Sequence, residues 1–336
     1  MTAATLQRPA RRLICREMSD ANETAFRGLT RIMTAAGASP ASTAAYHSAC
    51  LSLEDYLITA GRPSDLTGAT REDAMSWLIE IQARGGWSFR GGQRVQLGRP
   101  LSKASVFSYF GSAKRFYGYA VEAELMEASP MAGLAAPPPN TKPREIPEIE
   151  VLRAMIATCL PGKKLKQRTF EDVRDEFAIR FFAETGGPRC SELANLPAGQ
   201  LDLKNDLALV EGKGGKWRTV PLCPRTAQAA QKYLTVRRDH PAAGLDQLMV
   251  GQRGQLSPSG VYQIVVRRAR LVGTHIHPHQ LRHFSASEAK AAGMSDEDIM
   301  RLFGWSTTAM LRHYGEIQGT ARAVAAARKH HLGDRL

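Results

Sequence analysis

HPHQLRH, from His277 to His283, is the stretch on which the architecture of this chain turns. Pro278 suits the first position of a helix, because its fixed φ matches that turn and its missing N–H would have no helical partner there. A helix opened by Pro278 puts His279 and Arg282 three residues apart on one face, where both can meet a single anionic group. Four further blocks stand around it. Upstream lie GGPRCSEL (Gly186 to Leu193) and EGKGGKWRTVPL (Glu211 to Leu222); downstream lie LFGW (Leu302 to Trp305) and LRHYGEI (Leu311 to Ile317). In the first, Gly186, Gly187 and Pro188 interrupt one helix while Ser191, Glu192 and Leu193 begin the next, so Arg189 falls near a helix start, where phosphate is favoured. In the second, Gly212, Gly214 and Gly215 allow a tight turn between two strands, with Lys213 at its tip.

Cutting a phosphodiester without metal needs a nucleophile, cationic support for the transition state and an acid for the leaving oxygen. Six residues of these blocks supply the parts. Arg189 and Arg282 present forked N–H donors to non-bridging oxygens, a geometry lysine cannot reproduce. Tyr314 is the candidate nucleophile; its ordinary pKa is about 10, so neighbouring positive charge must favour the phenolate. A mobile Lys213 can reach the leaving oxygen, and an imidazole such as that of His279 ordinarily titrates near neutrality and can transfer a proton. Trp305 can donate one hydrogen bond and pack, but cannot exchange a proton.

Each block taken alone has a plainer reading. GKGGK is a hairpin with a solvated lysine, Trp305 a core residue, and LRHYG a helix terminus that Gly315 ends or bends. His275, His277, His279 and His283 raise the idea of a metal, yet no acidic or cysteine pair completes a coordination set. No metal is therefore expected, and His275 and His277 are read as local caps or packing.

In their order and spacing the five blocks resemble the tyrosine recombinase (phage integrase) family, over roughly residues 40 to 330. The resemblance implies a mainly α fold with a small antiparallel β-sheet, in two domains: a helical core-binding domain and a catalytic domain. It implies a site-specific DNA recombinase acting through a 3′-phosphotyrosyl intermediate with release of a 5′-hydroxyl. It makes Arg189, Lys213, His279, Arg282, Trp305 and Tyr314 the catalytic set, with Glu192 in support, and prefers Lys213 to Lys216. Exchanging one phosphoester for another conserves bond energy, and no P-loop is present, so no cofactor is implied. The partners are double-stranded DNA and a homo-tetramer on two DNA sites, with room for an accessory directionality protein. Integration or excision of a mobile element and replicon resolution both fit. Two positions depart from the common pattern, Trp305 where many relatives carry histidine and Pro188 where an apolar residue is usual. A type IB topoisomerase and a non-catalytic DNA-binding regulator are the alternative readings.

The bulk properties agree. With 336 residues, 43% hydrophobic, the chain can bury the cores of two domains. No apolar run approaches the roughly 20 residues of a membrane helix, and no membrane partner is expected. A net charge of +13 gives a field that polyphosphates feel at long range. The five cysteines, Cys15, Cys50, Cys159, Cys190 and Cys223, form no CxxC pair, which suits a reducing compartment. A cytoplasmic, nucleoid-associated protein of bacterial or phage origin is expected.

Along the chain, residues 1–19 read as a basic tail, 20–129 as a helical core-binding domain, 130–147 as a proline-rich linker and 148–336 as the catalytic domain. Prolines 130, 137, 138, 139, 143 and 147 prevent helix and central strand alike. An extended run from Pro137 to Pro147 would span about 34 Å at about 3.1 Å per residue. Helical spacing joins Tyr46, Cys50, Leu53 and Leu57; Trp77, Leu78 and Ile81; and Val106, Phe110, Phe116, Tyr117 and Ala120. The third of these helices offers Lys103, Lys114 and Arg115 to DNA while its aromatics pack inward. Gly85 to Pro100 reads as a long loop, and the alanine-rich segment after Tyr314 as a helix that packs on a neighbouring catalytic domain.

Overall fold

The computed structural model describes residues 18–84, 87–90, 93–96, 100–138, 146–161, 165–212, 214–308 and 324. The chain divides into two compact units, Met1–Lys142 and Pro143–Leu336.

The first unit is built on helices α1 (Asp20–Ala35), α2 (Pro40–Thr59), α3 (Arg71–Arg84) and α4 (Lys103–Glu122). Each expected apolar stripe is buried: Leu53 and Leu57 of α2, Trp77 and Ile81 of α3, and Val106, Phe116 and Tyr117 of α4 form one core with Phe26 and Leu29 of α1. Ser39 and Ser102 cap α2 and α4, each accepting from the backbone N–H three residues on. Two aromatic side chains that enter the core pair their polar ends there. The Trp77 indole donates to Ser52 Oγ at 3.1 Å and the Tyr117 hydroxyl to the Leu66 carbonyl at 3.0 Å.

Both ends of this unit lie outside the expected 20–129. Met18 and Met131 are buried in the core, and Leu134 and Ala136 pack against it. Apolar side chains interleaved with the prolines hold 130–136 on the helical unit, so the proline count overstated the linker. Residues 139–145, and with them the expected extended span, lie outside the described residues. The expected loop from Gly85 to Pro100 contains strands β1 (Trp87–Arg90) and β2 (Gln93–Gln96), antiparallel with Arg90 opposite Gln93. WSFR and QRVQ flank Gly91 and Gly92, a dipeptide favoured between hairpin strands; counting glycines and arginines hid the alternation.

The second unit is helical around one small sheet. Its helices are α5 (Ile149–Ala157), α6 (Phe170–Ala183), α7 (Cys190–Asn195), α8 (Pro224–Arg237), α9 (Pro258–Leu271), α10 (Pro278–Ala291) and α11 (Asp296–Phe303). Strands β3 (Leu201–Asp202), β4 (Leu207–Glu211) and β5 (Trp217–Pro221) form the sheet in that order, antiparallel throughout. A short hairpin, β6 (Val250–Gly251) with β7 (Gly254–Gln255), was not foreseen. The alanine-rich segment after Tyr314, expected to be helical, lies outside the described residues but for Val324. Helix α6 is buried on nearly every side, as a central helix must be: Phe177, Ile179, Phe181 and Phe182 are fully enclosed, in contact with α8, α9 and α10. Thr169 and Asp172 cap its start reciprocally.

Charged residues also run through this core. Asp175 accepts from Arg174 at 2.8 Å and from Arg268 at 2.9 Å; Glu176 accepts from Arg168 at 2.7 Å and from Arg180 at 2.9 Å; Asp172 accepts from Arg268 at 2.9 Å. On the sheet, β4 and β5 alternate. Ala208, Val210, Arg218 and Val220 turn inward, with Arg218 opposite Val210.

Candidate active site

Two glycines set the geometry around Arg189. Gly186 has φ +80°, and a Cβ there would lie 2.5 Å from the Leu302 carbonyl oxygen. At Gly187 it would lie 2.6 Å from the carbonyl oxygens of Phe181 and Phe182. Only a residue without a side chain lets the chain leaving α6 run this close to the end of α11. The next turn makes Arg189 the N-cap of α7, the helix start that the GGPRCSEL block predicted.

Glu192, one turn into α7, gathers the cations. Its Oε1 accepts from Arg189 Nη1 at 2.5 Å; its Oε2 accepts from the Arg189 backbone N–H at 2.8 Å and from Arg218 Nη2 at 2.7 Å. Burial alone pushes the Glu192 carboxyl up. The Arg218 guanidinium, by hydrogen bond and charge, and then Arg189 outweigh burial and hold it below the usual range. Arg189 keeps 39% of its side chain exposed while Glu192 keeps 5%, so the carboxylate is hidden and one of its arginines faces outward.

Arg282 lies deeper. It is 3% exposed, donates through Nη1 to the Gly187 carbonyl and through Nη2 to the Phe303 carbonyl, and lies 4.8 Å from the Phe303 ring and 5.8 Å from the Trp305 ring. Burial, with the like charges of Arg189 and Arg218, pushes its pKa down to about 9 against the opposing pull of Glu192. It stays a cation at neutral pH, and an anion beside it would favour the charged form against both causes. Trp305 packs on Phe303 with ring centroids 4.8 Å apart, so it supports the Arg282 pocket as well as filling space. His279 is exposed on α10, one turn before Arg282, with its ring edge-on to the buried His283 at 4.1 Å.

Arg189, Glu192, Arg282 and Trp305 are thus brought to one place, with His279 on the same helix as Arg282. Lys213 and Tyr314 lie outside the described residues. The stem of the lysine turn is described. The Gly212 N–H donates to the Lys216 carbonyl at 2.7 Å, and a side chain at Gly212 would come within 3.4 Å of Arg218 and 3.6 Å of Glu192, so the turn begins beside that pair. Lys103, Lys114 and Arg115 belong to the first unit and are exposed on α4, with Lys114 5.9 Å from the Phe110 ring centroid. Among the described residues, no group of three or more His, Cys, Asp or Glu is arranged to hold a metal ion.

Arg218 escaped the sequence reading. It stood inside a quoted block as flanking text, yet strand alternation turns it to the same side as Val220. An arginine at an inward strand position must find acceptors, and that was the available signal.

The second unit, helical around a three-stranded sheet, thus holds Arg189, Arg218 and Arg282 around Glu192. The phage integrase family model matches residues 150–319, half of the chain. Tyrosine recombinase XerC of Stutzerimonas stutzeri is 33% identical over 207 residues, covering 60% of this chain and 66% of that protein. Tyrosine recombinase XerC of Azotobacter vinelandii is 31% identical over 217 residues, covering 63% and 69%. Among solved structures, the XerH site-specific recombinase bound to palindromic difH has a TM-score of 0.68 at 17% identity, covering 92% of this chain and 85% of that one. A lambda integrase dimer bound to a COC′ core site has a TM-score of 0.60 at 16% identity, covering 86% and 96%. Those two likenesses establish the shared fold. This chain belongs to the phage integrase family and is a tyrosine site-specific recombinase. No helix among the described residues is long and apolar enough to cross a membrane.

Proposed function

We propose that this protein cleaves and rejoins double-stranded DNA at specific sites, with Tyr314 as nucleophile and Arg189, Lys213, His279, Arg282 and Trp305 around the scissile phosphate. The Tyr314 oxygen attacks phosphorus, the bond to the 5′ oxygen breaks, and a 3′-phosphotyrosyl ester forms. His279 takes the phenolic proton and Lys213 gives one to the departing 5′ oxygen. Arg189 and Arg282 hold the non-bridging oxygens as charge builds on them. Attack by a 5′-hydroxyl of the partner strand reverses these steps and releases Tyr314.

The observation that carries this reading is the charge imbalance of the site, where, among the described residues, Arg189, Arg218 and Arg282 surround the one carboxylate of Glu192. A buried cluster with surplus positive charge is costly unless an anion joins it. The scissile phosphate is that anion.

Exchange of four strands with one nucleophile per chain requires four chains, so the working assembly is a homo-tetramer on two DNA sites. A lambda integrase tetramer bound to a Holliday junction, with a TM-score of 0.60 to this chain, is in keeping with that count. The helical unit, with Lys103, Lys114 and Arg115 on α4, is the core-binding domain, and the protein works at the nucleoid with or without an accessory directionality protein.

Incubation with a nicked duplex selected by the protein from a random library tests the chemistry. A covalent protein–DNA adduct and strand exchange between two copies of the site are expected, with chelator present throughout. Relaxation of a supercoiled plasmid carrying the site, without exchange between two sites, would make it a topoisomerase instead, and binding without an adduct would make it a regulator.

A further inference from the structure

Two pairs of consecutive carbonyls face each other across the site. Gly186 and Gly187 supply one pair, and Leu302 and Phe303, the last residues of α11, supply the other. A helix C-terminus leaves its final carbonyls without helical partners and carries the negative end of the dipole. The left-handed turn at Gly304 satisfies two of them, because the Gly304 N–H donates to Arg301 and the Trp305 N–H to Met300. Arginines take the remaining two.

They do so as parallel rungs. Arg282 joins the Gly187 carbonyl to that of Phe303. Arg218 joins the Gly186 carbonyl, at 3.3 Å through Nη2, to that of Leu302, at 3.0 Å through Nε. The rungs differ in their third contact: Arg218 also grips Glu192 Oε2 at 2.7 Å, whereas the hydrogen bonds of Arg282 described here run to carbonyls. A cation shared between two carbonyls can exchange them for a phosphate. One that also holds a buried carboxylate is fixed.

We infer that Arg218 is a positioning residue for DNA cleavage, an inference that rests on the recombinase chemistry proposed above. It has two effects. By sharing Glu192 it limits how far that carboxylate neutralises Arg189, leaving outward guanidinium N–H groups for the phosphate. By tying the Gly186 turn to α11 it keeps the pocket closed when Arg282 turns from its carbonyls to the substrate. Lysine cannot replace it, since one ammonium on a flexible stem does not span three acceptors lying in the plane of a guanidinium.

The test compares two scissile groups. DNA recovered from wild-type covalent complexes fixes the cleavage position, and nicked duplexes are then made with either a phosphodiester or a neutral methylphosphonate there. Single-turnover adduct formation is measured at saturating protein for the full-length wild type, Arg218→Gln and Arg218→Lys. If Arg218 acts through the arginine clamp, both variants bind DNA as wild type does. They should cleave the phosphodiester about 10- to 100-fold more slowly, less than the roughly 10²- to 10³-fold loss for a direct oxyanion donor. On the methylphosphonate, which lacks the negative charge the clamp meets, the variants and wild type should converge. Equal slowing on both substrates would show general distortion and overturn the inference, as would an undiminished rate in Arg218→Gln. Should Arg218→Gln fail to fold, Arg218→Lys decides on the same ratio; loss of DNA binding in both variants would assign Arg218 to stability alone. Absence of any wild-type adduct would remove the recombinase chemistry itself, a separate and prior failure.

Discussion

Two arginine clusters lie within the second unit, and they are balanced differently. Around α6, Arg168, Arg174, Arg180 and Arg268 meet Asp172, Asp175 and Glu176, three carboxylates for four cations, with the exposed Arg267 3.9 Å from Asp175. At the site, Arg189, Arg218 and Arg282 share Glu192. The titration of one arginine from each follows the balance. Burial works against the Arg268 charge, but Cys159 and Asp175 by charge, with hydrogen bonds to Asp172 and Asp175, hold its pKa above the usual value. The pKa of Arg282 is driven down to about 9 by burial and by its like-charged neighbours. In the first cluster each of these four arginines has a carboxylate within 3 Å, whereas in the second Arg282 has no such partner among the described residues. Residue type does not separate a structural arginine from a phosphate-binding one here; direct pairing with a carboxylate does.

If the arginines of the α6 cluster are structural because they are paired, removing one carboxylate should damage stability and spare chemistry. Asp175→Asn leaves Arg174 and Arg268 facing a neutral amide in the core, and should lower unfolding free energy by about 3–5 kcal/mol. Denaturant titration measures that loss, and the rate of adduct formation per folded molecule should remain that of wild type. A large fall in rate with intact stability would erase the distinction between the clusters.

The reverse is expected at the site. Arg189→Lys and Arg282→Lys preserve charge but lose the fork, and each should slow single-turnover cleavage by about 10²- to 10³-fold while DNA affinity changes little. Comparing cleavage rates with binding isotherms separates the two effects.

Acid provides a gentler probe. Burial opposes ionisation of Asp172, but hydrogen bonds from Thr169 and Arg268 hold its pKa below the ordinary value. A carboxyl lowered on folding contributes stability that is present above its unfolded pKa and is lost as pH falls through its folded pKa. Asp172→Asn should therefore be less stable than wild type at neutral pH, by less than Asp175→Asn, and the gap should narrow below the usual carboxylate range. Unfolding titrations at stepped pH would show it; a gap that widened in acid would reverse the sign of the argument.

The smallest effect belongs to the exposed cations of the first unit. Lys114→Ala should weaken DNA binding alike for all sequences and make the slope of log affinity against log salt shallower by about 0.9, one phosphate contact. An unchanged slope would take Lys114 off the DNA.

Legibility followed the same division. Helices α2, α3, α4 and α10 were readable because apolar spacing and a helix-opening residue such as Pro278 are local signals. The β1–β2 hairpin was missed where glycine and arginine obscured a four-residue alternation, and β6–β7 because two-residue strands leave no pattern. Arg189, Glu192 and Arg282 were found as parts of blocks. Arg218 was not, since its role depends on carbonyls at Gly186 and Leu302, 32 and 84 residues away, and no local pattern encodes such partners. Met131 shows the same limit from the other side, a core residue set among prolines that announce a linker.

The most direct test of the account is the chemical identity of the protein–DNA link. Full-length protein incubated with its selected nicked duplex, digested with protease and nuclease and examined by mass spectrometry, should yield one peptide bearing a nucleotide 3′-phosphate on Tyr314, absent in Tyr314→Phe, which still binds the duplex. A nucleotide on another residue, or an adduct that survives Tyr314→Phe, would contradict the assignment of Tyr314 and of the arginine cluster that is proposed to serve it.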